Sequence, residues 1–474
     1  MTDTSAAGAS LRRDLGTLEA YATLIGILIG AGIFRVTSAA TAATGPSVIL
    51  GHLVLAPAVL ASSVAYLVFL STPLGLEPGG EVLHIARTFG SPRLTFLCGW
   101  LKLISYLSAA AYLADALAVN LLELCLPHGQ PSSALQRAVA LGALCLFFAI
   151  HVSGVRWFGR LQVAMCTVLA LALVVLIVPG LFALRGANYR PFFTGGLSGF
   201  GAALPPLFFA YAGFESLAQT AGEVRDSRTR LPRVFVRGIL LTTLVFVAMT
   251  VVAFGVLPAE RLGASEVPMS EAAATYLPFG ATAVVTLGAV MAIATSLNAT
   301  LMVPARLALS MAREGWLPRL FGRVHVGLGT PVPGLLASLA VAGALLVSGR
   351  IGLALGIAVV ALVLLYALHS LALLCLPRRN PGLHAEAGTR LPRSLQLWAG
   401  WVSLLTMGGI VSLQFGQDLA RIRATSWSAR LASLDLTSLE LLVLWALFGL
   451  AVYSGTRRHS DGSEAGARAA RVEP

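Results

Sequence analysis

The chain has 474 residues, 57% of them hydrophobic and only 11% charged. A soluble domain carries about 25% charged residues, so this composition excludes a water-soluble globule and requires that most of the surface face lipid. The net charge of +12 is almost all arginine, with Lys102 the one lysine among 33 basic residues, and these groups fall at the ends of apolar runs, where they read as membrane-orientation signals rather than a nucleic-acid surface.

A bilayer-crossing helix takes roughly 20 mostly apolar residues. About twelve such runs are predicted, near 15–42, 47–73, 93–124, 134–152, 160–184, 197–222, 234–257, 278–311, 332–348, 351–377, 396–416 and 437–455. The first run lacks a small-residue cleavage site, so no cleavable signal peptide is expected. Arginines concentrate in alternate connections, among them Arg225, Arg228, Arg230, Arg233 and Arg237, while the opposite loops carry Glu260, Glu266, Glu271, Asp418 and Asp435. That bias predicts a multi-pass protein of the cell membrane with both termini cytoplasmic. Residues 1–14 form the cytoplasmic N-terminus, and the polar tail 457–474 is expected to be disordered. The five cysteines lie in or beside apolar runs without metal spacing and read as apolar packing residues.

Two spans are poor helices. "LIGILIGAGIFRV" (Leu24–Val36) places three glycines, Gly26, Gly30 and Gly32, and Arg35 inside the first run. Irregular backbone at membrane depth is tolerated only where protein buries it or it lines a wet cavity. A break here frees amides at the start of a half-helix, and these suit an anion such as a carboxylate. Close helix packing through small residues is the other reading of the same glycines. The sixth run, "LPPLFFAYAGFESLAQTAGEV" (Leu204–Val224), holds Pro205, Pro206, Gly213 and Glu215. Two interrupted spans, five apart, point to an inverted-repeat transporter with its site between the breaks.

Five charged residues lie at or near membrane depth, where charges pair, face a cavity or snorkel. Arg35 reads as a paired structural group or a substrate contact. Glu215 reads as a coupling or gating acid. Lys102 is expected to snorkel to the interface along its long stem. Asp115 is expected to be paired or protonated, and Arg306 to mark the inner end of a long span.

The motifs resemble those of the amino acid–polyamine–organocation (APC) superfamily. "IGAGIF" (Ile29–Phe34) resembles its first span, "FFAYAGFES" (Phe208–Ser216) its sixth, "GEVRDSRTRLPRVFVRGI" (Gly222–Ile239) the loop that follows, and "NATLMVPARLALSMAREGWLP" (Asn298–Pro318) its eighth span. "EPGGEVLHIARTFG" (Glu77–Gly90) and "HVSGVRWFGRLQ" (His151–Gln162) match the loops after span two and before span five. The resemblance implies an all-α integral membrane protein of the leucine-transporter type. Repeats 15–190 and 196–378 would be inverted relative to one another, helices 1 and 6 discontinuous, and spans 395–456 peripheral. It also implies that backbone groups of Ile29, Gly30, Ala31, Gly32 and Ile33 hold a substrate's carboxylate and amino group. Phe209, Ala210, Tyr211, Ala212 and Gly213 would face them, with Phe209 as an aromatic gate. Glu215, Asp115 and Arg35 remain as coupling or gating residues.

Two departures stand out. Leu169 occupies the position where many members carry a span-five lysine, and the acid usual just before "EPGG" is absent; both leave the coupling ion open between proton and sodium. Cys125 lies near where heteromeric members bond a glycoprotein subunit, but the simpler reading is an unpaired thiol. No continuous polar stripe suggests a channel, and no nucleophile, metal set or carboxylate pair at depth suggests an enzyme. The expected function is a secondary transporter of amino acids, neutral ones by default, by proton symport or exchange, without a cofactor. A cationic-amino-acid or polyamine antiporter and a non-transporting sensor are the alternatives.

Overall fold

The computed structural model describes residues 13–30, 37–77, 79–126, 129, 131–389, 391–424 and 436–469. Among these the architecture is helical throughout, with nine helical stretches long and apolar enough to cross a membrane and three shorter apolar helices. Span one is split into α1 (Thr17–Leu28) and α2 (Thr37–Thr44), and a 3₁₀ turn at Gly45–Ser47 leads straight into α3 (Val48–Leu70). A short helix, α4 (Gly80–Phe89), precedes α5 (Pro92–Cys125), α6 (Ser133–Val152) and α7 (Val155–Gly180). Span six is α8 (Gly196–Phe209) and the one-turn α9 (Ser216–Gln219). Then come α10 (Ser227–Val256), the loop helices α11 (Ala259–Ala264) and α12 (Pro268–Ala274), α13 (Phe279–Arg313), α14 (Val332–Val347) and α15 (Ile351–Arg379). The chain ends in α16 (Pro381–Ala385), α17 (Arg393–Ala424) and α18 (Ser438–Ala469).

The helices sort into a centre and a rim. In α13, 83% of the apolar window is buried, and in α5 78%, whereas α6 buries 22% and α18 17%. Helices that are apolar on all sides belong in the protein interior or against lipid. The rim therefore presents side chains such as Leu146, Leu171 and Leu447 outward, and the functional interior lies where α5 packs on α13 and α15.

Pro205 and Pro206 lie within α8. The chain leaves the helix a turn later, over residues 210–215, with Gly213 at φ +101°, a value that favours glycine. Helix α18 runs as far as Ala469.

The glycines of span one also pack. A Cβ on Gly30 would lie 1.8 Å from Ser296 Oγ and 2.7 Å from Ser296 Cβ on α13. A Cβ on Gly26 would meet Gln162, Thr295 and Cys166 at 2.5–3.0 Å. Close approach and loss of helix thus share one stretch. Gly30→Ala should lower stability by about 1–3 kcal/mol, the usual cost of overpacking, read as a reduced melting temperature in detergent. An unchanged melting temperature would show that α1 can shift away from α13 freely.

The N-terminal face is tied shut by polar contacts. Leu15 pairs with the strand-like segment after span six, its N–H donating to Glu223 O at 3.0 Å while Arg225 N–H donates to Leu15 O at 3.0 Å. Beneath them Arg306 holds the Glu223 carboxylate in a two-pronged, buried ion pair at 2.9 and 3.1 Å. Asp14 pairs with Arg156 of α7 at 2.9 Å. Arg306 is thus a structural tie, as its place at the inner end of a span predicts.

Candidate substrate site

A small cavity, about 30 Å³ in volume, lies between the two interrupted spans, lined as ligand sites are by mostly apolar side chains with a few polar groups. Five elements contribute to it. The end of α1 supplies Ile27 and Leu28. Helix α5 supplies Ser105, Tyr106, Ala109 and Leu113 on successive turns. The break in span six supplies Phe209, Ala212 and Gly213. Helix α13 adds Ser296 and Thr300, and α15 adds Ala358 and Leu362. Among these lining residues none is charged.

The polar groups at the wall are held by helix backbones. Ser105 Oγ donates to Ala358 O at 2.8 Å, tying α5 to α15. Ser296 Oγ reaches the carbonyls of Gly26 and Ile27, both at 2.9 Å. Thr295 Oγ1 donates to Gly26 O at 2.9 Å, and Gln162 of α7 donates to Ala22 O and Thr295 O at 3.2 Å. The hydroxyl contacts satisfy the Gly26 and Ile27 carbonyls at the C-terminal end of α1, where helix geometry leaves four without a partner, and Gln162 ties α7 to α1 and α13.

Glu215 sits just behind the cavity and is fully buried. Its two oxygens accept hydrogen bonds from the hydroxyls of Tyr106 and Tyr366. Tyr366 in turn accepts from the N–H of Gly213 at 3.3 Å. Tyr106 also lines the cavity, so one phenol touches both the substrate space and the acid. Phe209 stands edge-on to Tyr112 of α5, ring centroids 5.5 Å apart, and lines the cavity.

Not every residue expected at the site lies there. Tyr211 turns away, packing against Phe246 and donating to His52 O at 3.3 Å, and Ala210 is buried in the core. Asp115 accepts from Gln136 Nε2 of α6 at 2.7 Å. Ile29 is buried and its N–H completes α1 by bonding Ile25 O. Ala31, Gly32, Ile33 and Arg35 lie outside the described residues. Lys102 does not snorkel. Its side chain is fully buried and forms an ion pair with Glu81 of α4, because a buried carboxylate is within reach and the interface is not needed. Leu169 is buried among apolar neighbours, so a methyl-rich packing residue stands at the span-five position. The residues missed from sequence, Ser105, Tyr106, Ser296, Thr300 and Tyr366, lie on helices apolar all round, where spacing alone does not mark an inward face. The five cysteines are unpaired thiols.

An apolar helix bundle with two interrupted spans enclosing a small-molecule cavity is the architecture of a membrane transporter. A sequence model described as amino acid permease matches residues 15–448, and the chain belongs to that family, within the APC superfamily. It is 28% identical over 335 residues to the methylthioribose transporter of Bacillus subtilis, covering 68% of this chain and 72% of that one. It is 27% identical over 337 residues to the chloroplastic cationic amino acid transporter 9 of Arabidopsis thaliana, covering 68% and 59%. Against the branched-chain amino acid permease of Bacillus subtilis it is 23% identical over 336 residues, covering 68% and 72%.

Proposed function

We propose that this permease moves neutral amino acids with small or apolar side chains across the cytoplasmic membrane by alternating access, with a proton as coupling ion. The observation that carries the reading is the cavity wall, which is apolar with a few hydroxyls and keeps its one nearby acid, Glu215, behind two tyrosines. A cationic side chain would need an acceptor facing the cavity, and both Glu215 oxygens are engaged. The branched-chain relative supports the same substrate class. Backbone groups of Gly30–Ile33 and of Phe209, Ala212 and Gly213 would hold the carboxylate and ammonium, half-helix amides taking the anion and freed carbonyls the cation. With the termini cytoplasmic, the Glu223–Arg306 and Leu15–Val224 contacts form the inner barrier that must part for release.

The test is uptake of a panel of labelled amino acids by the purified protein in liposomes, with and without an inward proton gradient. Failure of every neutral amino acid, with transport of arginine or a polyamine, would overturn the substrate class. A second ion is favoured by a specific feature: the Thr295 and Ser296 hydroxyls and the Gly26 and Ile27 carbonyls form an oxygen cluster of the kind hard cations prefer. A sodium gradient that drives uptake where a proton gradient does not would transfer coupling to that cluster.

Backbone recognition of both ends of the substrate has its own consequence. The methyl ester and the deaminated analogue of the best substrate should each compete about 10- to 150-fold more weakly than the parent, for loss of a charge-assisted hydrogen bond worth roughly 1.5–3 kcal/mol. Competition binding measures this, and equal competition by the simple carboxylic acid would point to an organic-acid carrier.

A further inference from the structure

Glu215 is one end of a larger buried polar cluster. On α4, Glu81 and His84 are three residues apart and share a face. Glu81 pairs with Lys102 of α5, whose ammonium lies 5.4 Å from the Tyr106 ring centroid, and Tyr106 bonds Glu215. His84 Nδ1 lies 3.0 Å from His369 Nε2 of α15, so one nitrogen of that pair carries the proton and the other receives it. Phe69 and Tyr66 of α3 box the two imidazoles, with Phe69 stacked on His84 at 4.6 Å and Tyr66 edge-on to His369 at 4.3 Å. The titratable groups facing the pair are therefore Tyr66 from α3, Glu81 from α4, Cys98, Lys102 and Tyr106 from α5, Glu215 from span six and Tyr366 from α15, all buried.

Two features give this cluster a task. Counting charges, two carboxylates face one ammonium, so full ionisation leaves a net negative charge in a fully buried setting, which is costly. The cluster is balanced when it holds one additional proton. Further, Glu81 Oε2, His84 Nε2 and the Tyr66 hydroxyl have no hydrogen-bond partner. Buried polar atoms are normally satisfied, by water if not by protein, and three orphans in one cluster mark places where water and protons enter. Arg87, one turn after His84 on the flank of the same helix, is exposed to solvent, so the cluster lies within one helix turn of the surface.

We propose that Glu81 and the His84–His369 pair form a proton-transfer station between Glu215 and the N-terminal face, by which the coupling proton leaves without crossing the substrate cavity. Glu215 gives up its proton and Glu81 gains it. Glu81 then passes it to His84 Nε2 while the Nδ1 proton of His84 moves to His369 Nε2; the cationic His369 releases its Nδ1 proton to water that enters the cluster, so the cluster charge is unchanged at each internal transfer and falls by one only when the proton leaves. The inference rests on the proton-coupled reading above.

The experiment uses the full chain in liposomes loaded with a pH-sensitive dye. The best transported of leucine, alanine and serine serves as probe, and His84→Gln and His369→Gln are compared with wild type. Glutamine keeps a hydrogen bond and much of the ring's volume but cannot relay a proton. Substrate-driven proton flux should fall on the order of tenfold or more, as expected for loss of a positioned proton-transfer group, while substrate binding and one-for-one exchange stay at wild-type levels. Wild-type flux in both variants would overturn the proposal, and so would an equal loss of flux, exchange and binding, which marks a structural role. Absence of substrate-driven proton flux in the wild type would instead defeat the coupling reading and the relay with it. If a glutamine variant does not fold, the wild type is measured in heavy water. Net transport should slow while exchange does not, and equal effects on both would overturn the relay.

Discussion

Replacing Lys102 by methionine should destabilise the protein by about 3–5 kcal/mol, the cost of leaving one member of a buried ion pair uncompensated. Methionine approximates the length of the lysine stem, so packing is largely kept and the charge is what is lost. Glu81 and Lys102 are both fully buried, and the remaining Glu81 carboxylate would be buried with no cation to balance it. Glu81→Gln should restore much of the stability in the Lys102→Met background, because replacing both charges removes the orphan. Thermal unfolding of the four proteins in detergent forms the cycle. If Lys102→Met melts with the wild type, the ion pair is not a structural requirement and the charge count behind the buried cluster fails with it.

Lys102 also shows where sequence reasoning stops. A lysine one turn into a span has a long stem and a nearby interface, so snorkelling is the natural expectation. The decisive partner, Glu81, lies 21 residues away on a short separate helix, and no local pattern pairs the two. By contrast, the span order, the two interruptions and their spacing were legible, because lipid imposes length and apolarity on every span and glycine marks departures from helix. Arg306 was legible as a structural group from its place near a span end. The inward faces of α5, α13 and α15 were not. On a helix that is apolar all round, Ser105, Ser296 and Tyr366 look like any other residue until the packing partners are known. His52 is hidden for the same reason. It is buried between Tyr211 and Phe246, and its position in an apolar run carries no periodic signal.

The second large effect is expected at Glu215. Glu215→Gln should keep substrate binding within a few-fold of wild type yet lose most of the response of uptake to an inward proton gradient. Glutamine matches the shape of the carboxyl group. Its carbonyl oxygen can still accept from one tyrosine and its amide can donate to the other, so the links to Tyr106 and Tyr366 persist at a net cost of about 0.5–1.5 kcal/mol. What disappears is the capacity to bind and release a proton beside the interrupted helix, which is the property an intramembrane acid contributes to a coupled carrier. Binding should persist because the acid stands behind Tyr106 and does not line the cavity. Uptake by wild type and variant is compared under separate proton and sodium gradients. A variant that is still driven fully by protons removes Glu215 as the coupling acid and leaves Asp115 as the next to test, although its bond to Gln136 places it on the α6 side of α5. A variant that no longer binds substrate would show instead that the Tyr106–Glu215–Tyr366 bridge shapes the cavity, since Tyr366 also anchors the amide of Gly213 at the break.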